Sequence, residues 1–173
     1  LIHGVVTTVN DVLCPNKKIQ LADGTYMTVL DEANAPAGMD PDNTMGEALF
    51  NRKSMSRYAE SEDVQIRNED GTIETISVRP YIEEDPSDNY SLFTLGEIEV
   101  NKEILNNYSK IPLSSNTGSG EYDVKTCQKL LEEWTNTFST LSPNTLMEYN
   151  FNNYYNSFIS EMANRGEQLN TIS

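Results

Sequence analysis

The carboxyl-side part of this chain carries the sequence pattern that most constrains its fold. Between residues 151 and 172, apolar side chains recur at alternating steps of four and three, with one charged interruption at Arg165. The apolar members are Phe151, Tyr155, Phe158, Met162, Leu169 and Ile172. This spacing is the heptad repeat of a helix that packs lengthwise against another helix. It predicts a helix over 146–172, and that helix needs a partner because short isolated helices are marginal in water.

Two other segments are predicted to form helices with one apolar face. Residues 1–13 place apolar side chains at helical spacing, and residues 123–139 repeat them at steps of three and four. The repeating positions of the second segment are Val124, Cys127, Leu131, Trp134 and Phe138. Asp123 and Asn150 are candidate N-caps, since a short polar side chain can accept a hydrogen bond from the first helical turn. These helix seams are candidates either for the core of the domain or for assembly contacts between molecules.

The segment between the helices has the pattern of short β-hairpins. Ala22-Asp23-Gly24 and Asn68-Glu69-Asp70-Gly71 each separate two β-rich runs, and Asp-Gly favours a tight hairpin turn. A further strand is expected at 92–100, a helical turn or two across 45–52, and a short helix near 102–107.

Together these elements predict an α+β fold. Antiparallel helices over 1–13, 123–139 and 146–172 would pack together, with an inserted region of short β-hairpins. The predicted domain organisation is a helical domain of residues 1–13 and 92–173, which includes the strand, and an acidic β-rich insert at 14–91. The chain would leave one helical body and return to it.

The charge balance restricts the classes of partner. The chain has 173 residues, with 12 Lys and Arg against 27 Asp and Glu, for a net charge of −15. Residues 31–90 alone hold 15 acids and 5 bases, a net of −10. Binding to nucleic acid or to an anionic membrane surface needs clustered basic side chains, so this composition argues against both. No apolar run approaches the roughly 18 residues of a membrane span. We interpret the acidic part as a solvated outer surface.

Few residues of the chain are suited to catalysis or to binding a metal. The only histidine is His3, expected to face solvent on the first helix, and Cys14 and Cys127 are the only cysteines. We predict free thiols rather than a disulfide, with Cys127 a small buried thiol on its apolar stripe. No catalytic residue, cofactor site or metal site is predicted, and we expect no enzyme activity.

Calcium binding in the acidic loops 31–46 and 83–90 is the alternative function, as an extracellular binding module. An EF-hand loop starting at Asp40 would need Gly at position 6 and Glu at position 12, but Met45 and Asn51 stand there. An irregular calcium site stays open.

A carboxylate-dependent hydrolase is a third hypothesis. It would use acids such as Glu83, Glu84, Asp85 and Asp88. A solvated acidic turn is the simpler interpretation of that loop.

Three segments resemble one family in the same order. Phe-Asn-Asn-Tyr-Tyr-Asn-Ser-Phe-Ile-Ser-Glu-Met at 151–162 is similar to the "FxxYYxxLVxxIG" segment of the flagellar hook-associated protein 1 family, the hook–filament junction proteins. Ile-Glu-Val-Asn-Lys-Glu-Ile-Leu at 98–105, followed by Ser-Lys-Ile-Pro-Leu at 109–113, is similar to its "I-x-V-N-P-x-I-L…S-x-I-A" segment. Residues 1–13 resemble the end of a long family helix.

The resemblance covers about 95 residues, 1–13 and 92–173, and leaves the insert unmatched. It departs from the family pattern at Lys102, where the family prefers Pro, and at Pro112, where it often has Ala. Gly166 also comes later than the family's glycine.

The resemblance implies a structural subunit of the bacterial flagellum with no catalytic site. Such a subunit is exported through the flagellar type III channel without a cleaved signal peptide, and it is extracellular. It forms a ring with other copies of itself through helical contacts, between the hook protein and the second hook–filament junction protein. The family's terminal helices, where an export chaperone binds, would lie beyond both ends of this sequence.

Overall fold

The computed structural model describes residues 2–115, 124–137 and 148–172, with the side chain of residue 172 outside the description. The chain combines helices with small antiparallel sheets, which is compatible with the α+β class. The helices are α1 (Ile2–Leu13), α2 (Lys102–Asn106), α3 (Lys125–Thr135) and α4 (Phe151–Ile172), with a 3-10 helix at Tyr108–Lys110. The strands are β1 (Asn16–Gln20), β2 (Tyr26–Leu30), β3 (Phe50–Arg52), β4 (Glu62–Arg67), β5 (Ile73–Val78) and β6 (Ile98–Val100).

The two hairpins form where the turn residues predict them. β1 pairs antiparallel with β2, and β4 with β5. Both turns use the same chemistry, because Asp23 and Asp70 accept the backbone N–H two residues ahead at 2.9 Å. The following Gly24 and Gly71 take positive φ values of 89° and 84°, a conformation that glycine adopts at little cost.

The third sheet corrects two predictions. Residues 50–52 form strand β3, not the helical turn expected across 45–52, and β3 pairs with β6. The expected strand over 92–100 is confirmed only at its end, because residues 95–97 form a turn that is closed by the Ile98 N–H donating to the Thr94 carbonyl at 2.9 Å. Phe50 is held by Asn10 of α1, whose side-chain amide donates to the Phe50 carbonyl at 2.8 Å and accepts from its N–H at 3.1 Å. A contact across 40 residues therefore decides the local structure.

The hydrophobic core joins α1 to the segment that follows it. Its buried members are Leu13, Cys14, Leu30, Ala35 and Ala48. Val9, Leu49, Tyr58 and Leu130 pack against them, half-buried. The core thus includes residues from both sides of the predicted domain boundary, and that division stays a prediction.

The helices at the carboxyl side are shorter than predicted. α3 begins at Lys125, with no side-chain cap from Val124, and ends at Thr135; Asp123 and residues 138–139 lie outside the described ranges. α4 begins at Phe151 rather than at 146, and Asn150 caps it as predicted by accepting the Asn153 N–H at 2.8 Å. α1 packs against α3, and α3 contacts α4. Their antiparallel arrangement remains a prediction.

Candidate functional site

The most distinctive surface of the molecule is the apolar stripe of α4. Every residue from Tyr155 to Thr171 is exposed. We call Tyr155, Phe158, Met162, Arg165 and Leu169 the α4 stripe. Its apolar members are between 46% and 71% exposed. Contiguous exposed apolar side chains of this size typically mark an interaction surface.

α4 is anchored through its first turn. The Phe151 side chain is buried, and its ring centroid lies 4.8 Å from that of Trp134 on α3, at an interplanar angle of 43°. Tyr149 and Tyr154 add an edge contact at 6.0 Å beside it. Of the seven predicted seam positions on α4, Phe151 alone is packed within the described part of the chain. The remainder of the helix extends past this anchor.

The predicted seam of α3 is not the face that this helix buries. Val124, Cys127 and Leu131 are exposed, and Trp134 is 42% exposed despite its contact with Phe151. The buried face is instead that of Thr126 and the half-buried Leu130, which packs against the core. Since Leu130 and Leu131 are adjacent, the apolar spacing is compatible with burial of either the face that carries Leu130 or the face that carries Leu131. The contact with α1 buries the face that carries Leu130.

Two seam positions of the prediction cannot be placed. Phe138 lies outside the described residues, and so does the side chain of Ile172, although its backbone ends α4.

The two cysteines have opposite environments, and the expectation for Cys127 is wrong. Cys127 is exposed on α3, whereas Cys14 is fully buried at the end of α1, and both are free. Burial raises the pKa of the Cys14 thiol to about 12, so the thiol stays protonated and unreactive.

A buried arginine joins α1 to the segment between β3 and β4. Arg57 Nη2 donates to Asp11 Oδ1 at 2.6 Å and to the Cys14 carbonyl at 3.3 Å. Its guanidinium lies over the rings of Tyr58 and Tyr81, 5.7 Å and 5.0 Å from their centroids. Burial opposes the charge on Arg57, but the oxygens of Tyr58 and Asp11 outweigh it, so the pKa of Arg57 is raised. The side chains of Arg57, Asp11, Tyr58 and Tyr81 thus form one cluster.

A second buried arginine, Arg52, is held by carbonyl oxygens. It donates to the backbone carbonyls of Ser91, Ser56 and Ile82 and lies over the Phe93 ring at 5.3 Å. Burial lowers its pKa. Its Nε, like Nη1 of Arg57, has no hydrogen-bond partner among the described residues. Arg52 borders an open polar cavity of about 270 Å³ that Glu99 also lines. Both arginines fix loops in place.

The acidic loops use their carboxylates to close their own turns. Asp40 accepts the N–H and the hydroxyl of Thr44, Asp85 does the same for Ser87, and Asp88 accepts the Tyr90 N–H. Within residues 2–115, 124–137 and 148–172, no three or more His, Cys, Asp or Glu side chains form a group that could hold a metal ion. No observation on these residues favours the calcium alternative.

His3 links the start of α1 to the second acidic loop. Its Nε2 lies 3.0 Å from both carboxylate oxygens of Glu84. This hydrogen bond raises the pKa of His3 against an opposing effect of burial. His3 is exposed, as expected, with 52% of its side chain accessible to solvent.

Sequence reasoning missed the two buried arginines and the buried Asn10. A usable signal was present: Arg52 and Arg57 are bases within the most acidic part of the chain. A basic side chain in so acidic a part of the sequence can be buried and paired rather than solvated.

Comparisons with known proteins identified no relative of this chain. No family model, no curated protein and no solved structure matches the chain. Among the described helices, none has the length and apolarity required to cross a bilayer.

Proposed function

We propose that this chain is part of a structural subunit of the bacterial flagellum, which joins the hook to the filament and assembles into a ring through helical contacts. Its partners would be further copies of itself, the hook protein and the second junction protein. The proposal rests on the three segments that resemble the hook-associated protein 1 family in the same order along the chain.

The exposure of the α4 stripe is the observation that carries the proposal. The segment 151–162, which bears the clearest resemblance, opens the helix whose apolar side chains are exposed from Tyr155 onward. A subunit that assembles through helices needs such a surface, because two apolar stripes bury each other when they pack.

The second resembling segment supports the proposal through its local structure. Asn101 caps α2 by accepting the Glu103 N–H at 2.9 Å, and its amide donates to the Ala48 carbonyl at 2.9 Å. Lys102 is the first helical residue, where the family prefers proline. Proline is favoured at that position because its missing N–H would be unpaired there in any case. The departure at Lys102 is therefore compatible with the same helix start.

Antibodies raised against this chain test the proposal on cells of the source organism. Immunogold labelling should decorate a single band where the hook meets the filament. Deletion of the gene should leave hooks without filaments and remove the label. Label spread over the cell envelope, or intact filaments in the deletion strain, would contradict the proposal.

A further inference from the structure

Arg52 carries a buried positive charge that no carboxylate of the described residues neutralises. The residue is 3% exposed, and its hydrogen bonds go to the backbone carbonyls of Ser91, Ser56 and Ile82. Although the chain holds 27 Asp and Glu, no ion pair joins Arg52 to an acid within residues 2–115, 124–137 and 148–172. A buried charge is ordinarily paired, because removing it from water is costly.

The other arginine that is buried in the described structure has its counter-ion. Arg57 is 4% exposed, and Asp11 lies 2.6 Å from its Nη2. Even Arg79, which is only half-buried, pairs with Glu32 at 3.5 Å. Of the two buried cations in the described ranges, Arg52 alone therefore has no acid within 4 Å.

One N–H group of Arg52 is also left without an acceptor. Nη1 and Nη2 donate to the three carbonyls, whereas Nε is buried and has no hydrogen-bond partner among the described residues. Nearly all buried donors are paired, with protein, with water or with a bound group, so an exception requires an explanation. The unneutralised charge and the unpaired donor belong to the same side chain, and one anionic acceptor would satisfy both.

The open cavity that Arg52 borders has room for such an acceptor. Its volume is about 270 Å³, and the bend that follows β3 forms much of its wall. Lys53 lines it as a second cation: this side chain is exposed, donates to the Gly96 carbonyl at 2.7 Å, and forms no ion pair with a described residue. Glu99 also lines the cavity, but Lys102 pairs with it at 3.2 Å. The unpaired charge at the cavity is thus positive.

Charge and lining together indicate the class of ligand. A carboxylate is a singly charged acceptor that forms charge-assisted hydrogen bonds with a guanidinium. A doubly charged phosphate would bring its additional charge next to Glu99, in a chain whose net charge is −15. A docked protein is also disfavoured, since the centre of a protein interface is apolar and Met55 is the only apolar residue among those that line this cavity.

We propose that this cavity binds a small molecule through its carboxylate, which accepts from Arg52 Nε and lies beside the Lys53 ammonium. The site goes beyond the proposed function and does not depend on it. Because Nε is buried, contact with the anion requires the bend at 53–56 to move aside slightly. Binding should therefore change the surroundings of this bend as well as those of Arg52.

NMR titration of the ¹⁵N-labelled 173-residue chain with sodium acetate, at constant ionic strength, tests the proposal. The five arginines each contribute one Nε–H signal, assigned through bonded correlations to the backbone. The Arg52 Nε–H and the backbone amides of 53–56 should shift along one saturating curve. We expect a Kd on the order of 1–10 mM, since so small a ligand can gain little binding free energy. The Arg67 Nε–H, on an exposed side chain, is the internal control and should not shift.

Uncharged and doubly charged ligands test the choice of a carboxylate. Acetamide has the shape of acetate without its charge and should leave the Arg52 signal in place. Inorganic phosphate should bind more weakly than acetate. Shifts that fail to saturate, an equal response to acetamide, or an equal shift of Arg67 would overturn the proposed site. Tighter binding of phosphate would overturn its assignment to a carboxylate.

A pair of lysine variants tests the second cation while Arg52 stays intact. Lys53→Gln should weaken acetate binding by about threefold, the effect of one exposed charge. Lys18→Gln, on the exposed part of β1, is the matched control and should leave the Kd unchanged. Equal effects of the two variants would show that Lys53 has no part in the site. These measurements use purified protein, so they can fail while the labelling of cells succeeds, and the reverse.

Discussion

Arg57, between β3 and β4, donates a hydrogen bond of 2.6 Å to Asp11 on α1, although the arginine side chain is 3% exposed and the aspartate is 61% exposed. The pair connects a buried cation to a carboxylate at the surface. Aromatic faces and backbone carbonyls around the guanidinium complete its environment. The contact thus fixes α1 against the segment between β3 and β4.

Asp11→Asn should lower the free energy of unfolding by about 1–2 kcal/mol, because the solvent-exposed carboxylate is only part of what holds Arg57. Arg57→Lys should lower it by about 2–4 kcal/mol, since lysine cannot reproduce the forked donors or the stacking on both tyrosines. Urea denaturation measures both. Asp63→Asn, on the exposed face of β4, is the matched control, and an equal effect of Asp63→Asn and Asp11→Asn would contradict the role of the pair.

Gly46 is a position where any side chain should be destabilising. Its φ is +75°, and a Cβ would lie 2.5 Å from Arg79 Nη2 and 2.6 Å from Leu30 Cδ2. We expect Gly46→Ala to cost about 2–4 kcal/mol, measured by thermal unfolding, from backbone strain and overpacking together.

Gly24 provides the matched control for Gly46. Its φ is +89°, but a Cβ there meets nothing within 4 Å. Gly24→Ala should therefore cost only about 1 kcal/mol of backbone strain. Equal losses for the two variants would show that the contacts around Gly46 do not matter.

The contact between Phe151 and Trp134 should hold the start of α4 against α3. Phe151→Ala removes a buried ring and should cost about 3–5 kcal/mol. The emission of Trp134, the only tryptophan, should shift to the red as its cover is lost. Phe158→Ala, on the exposed stripe, should leave the emission of the dilute chain unchanged. A red shift in both variants would contradict the assignment of Phe151 as the anchor.

The His3–Glu84 contact predicts a shallow pH dependence. The pKa of His3 is raised from 6.5, so its contribution is complete below pH 6.5 and is lost as the pH rises through the folded-state pKa. The pKa of Glu84 is lowered from 4.5, despite an opposing effect of burial, so its contribution is present above pH 4.5 and is lost as the pH falls through the folded-state pKa. The contact should stabilise most between pH 4.5 and 6.5.

The difference in unfolding free energy between the natural chain and His3→Gln measures this dependence. It should be below about 1 kcal/mol, since the histidine is half exposed, and it should disappear at alkaline pH. A difference that stays constant from pH 5 to pH 9 would contradict the ionic nature of the contact.

The thiols should react unequally. Cys127 is exposed, whereas Cys14 is buried with a pKa raised to about 12. At neutral pH, a thiol reagent should modify one cysteine of the folded chain rapidly and the second only on unfolding, as counted by mass spectrometry. Fast modification of both would show that the segment around Cys14 opens readily.

Local chemistry explains which parts of the fold could be predicted. The Asp23-Gly24 and Asp70-Gly71 turns contain their own hydrogen bonds and their own positive φ, so both hairpins follow from a few adjacent residues. The Asn150 cap is local in the same way.

The wrong predictions concern structure that distant residues decide. Residues 50–52 are a strand because β6 pairs with them and Asn10 binds Phe50. The buried face of α3 depends on α1, which packs against Leu130 rather than Leu131. For the candidate site, the spacing identified the α4 stripe but could not show that Phe151 is packed while Phe158 is exposed, because both occupy equivalent positions of the heptad.

The packing of α1 against α3 has a consequence for the synthesis of this protein. α1 is made before the residues that bury it: the Asn10 amide is satisfied by Phe50, which is 40 residues away, and Leu130 completes the core around Leu13 much later in the chain. Loop closure over such separations slows folding, because the chain loses entropy before the contacts form. On the ribosome, α1 is therefore buried only after α3 has been made. Its apolar face remains available to chaperones until α3 has left the exit tunnel.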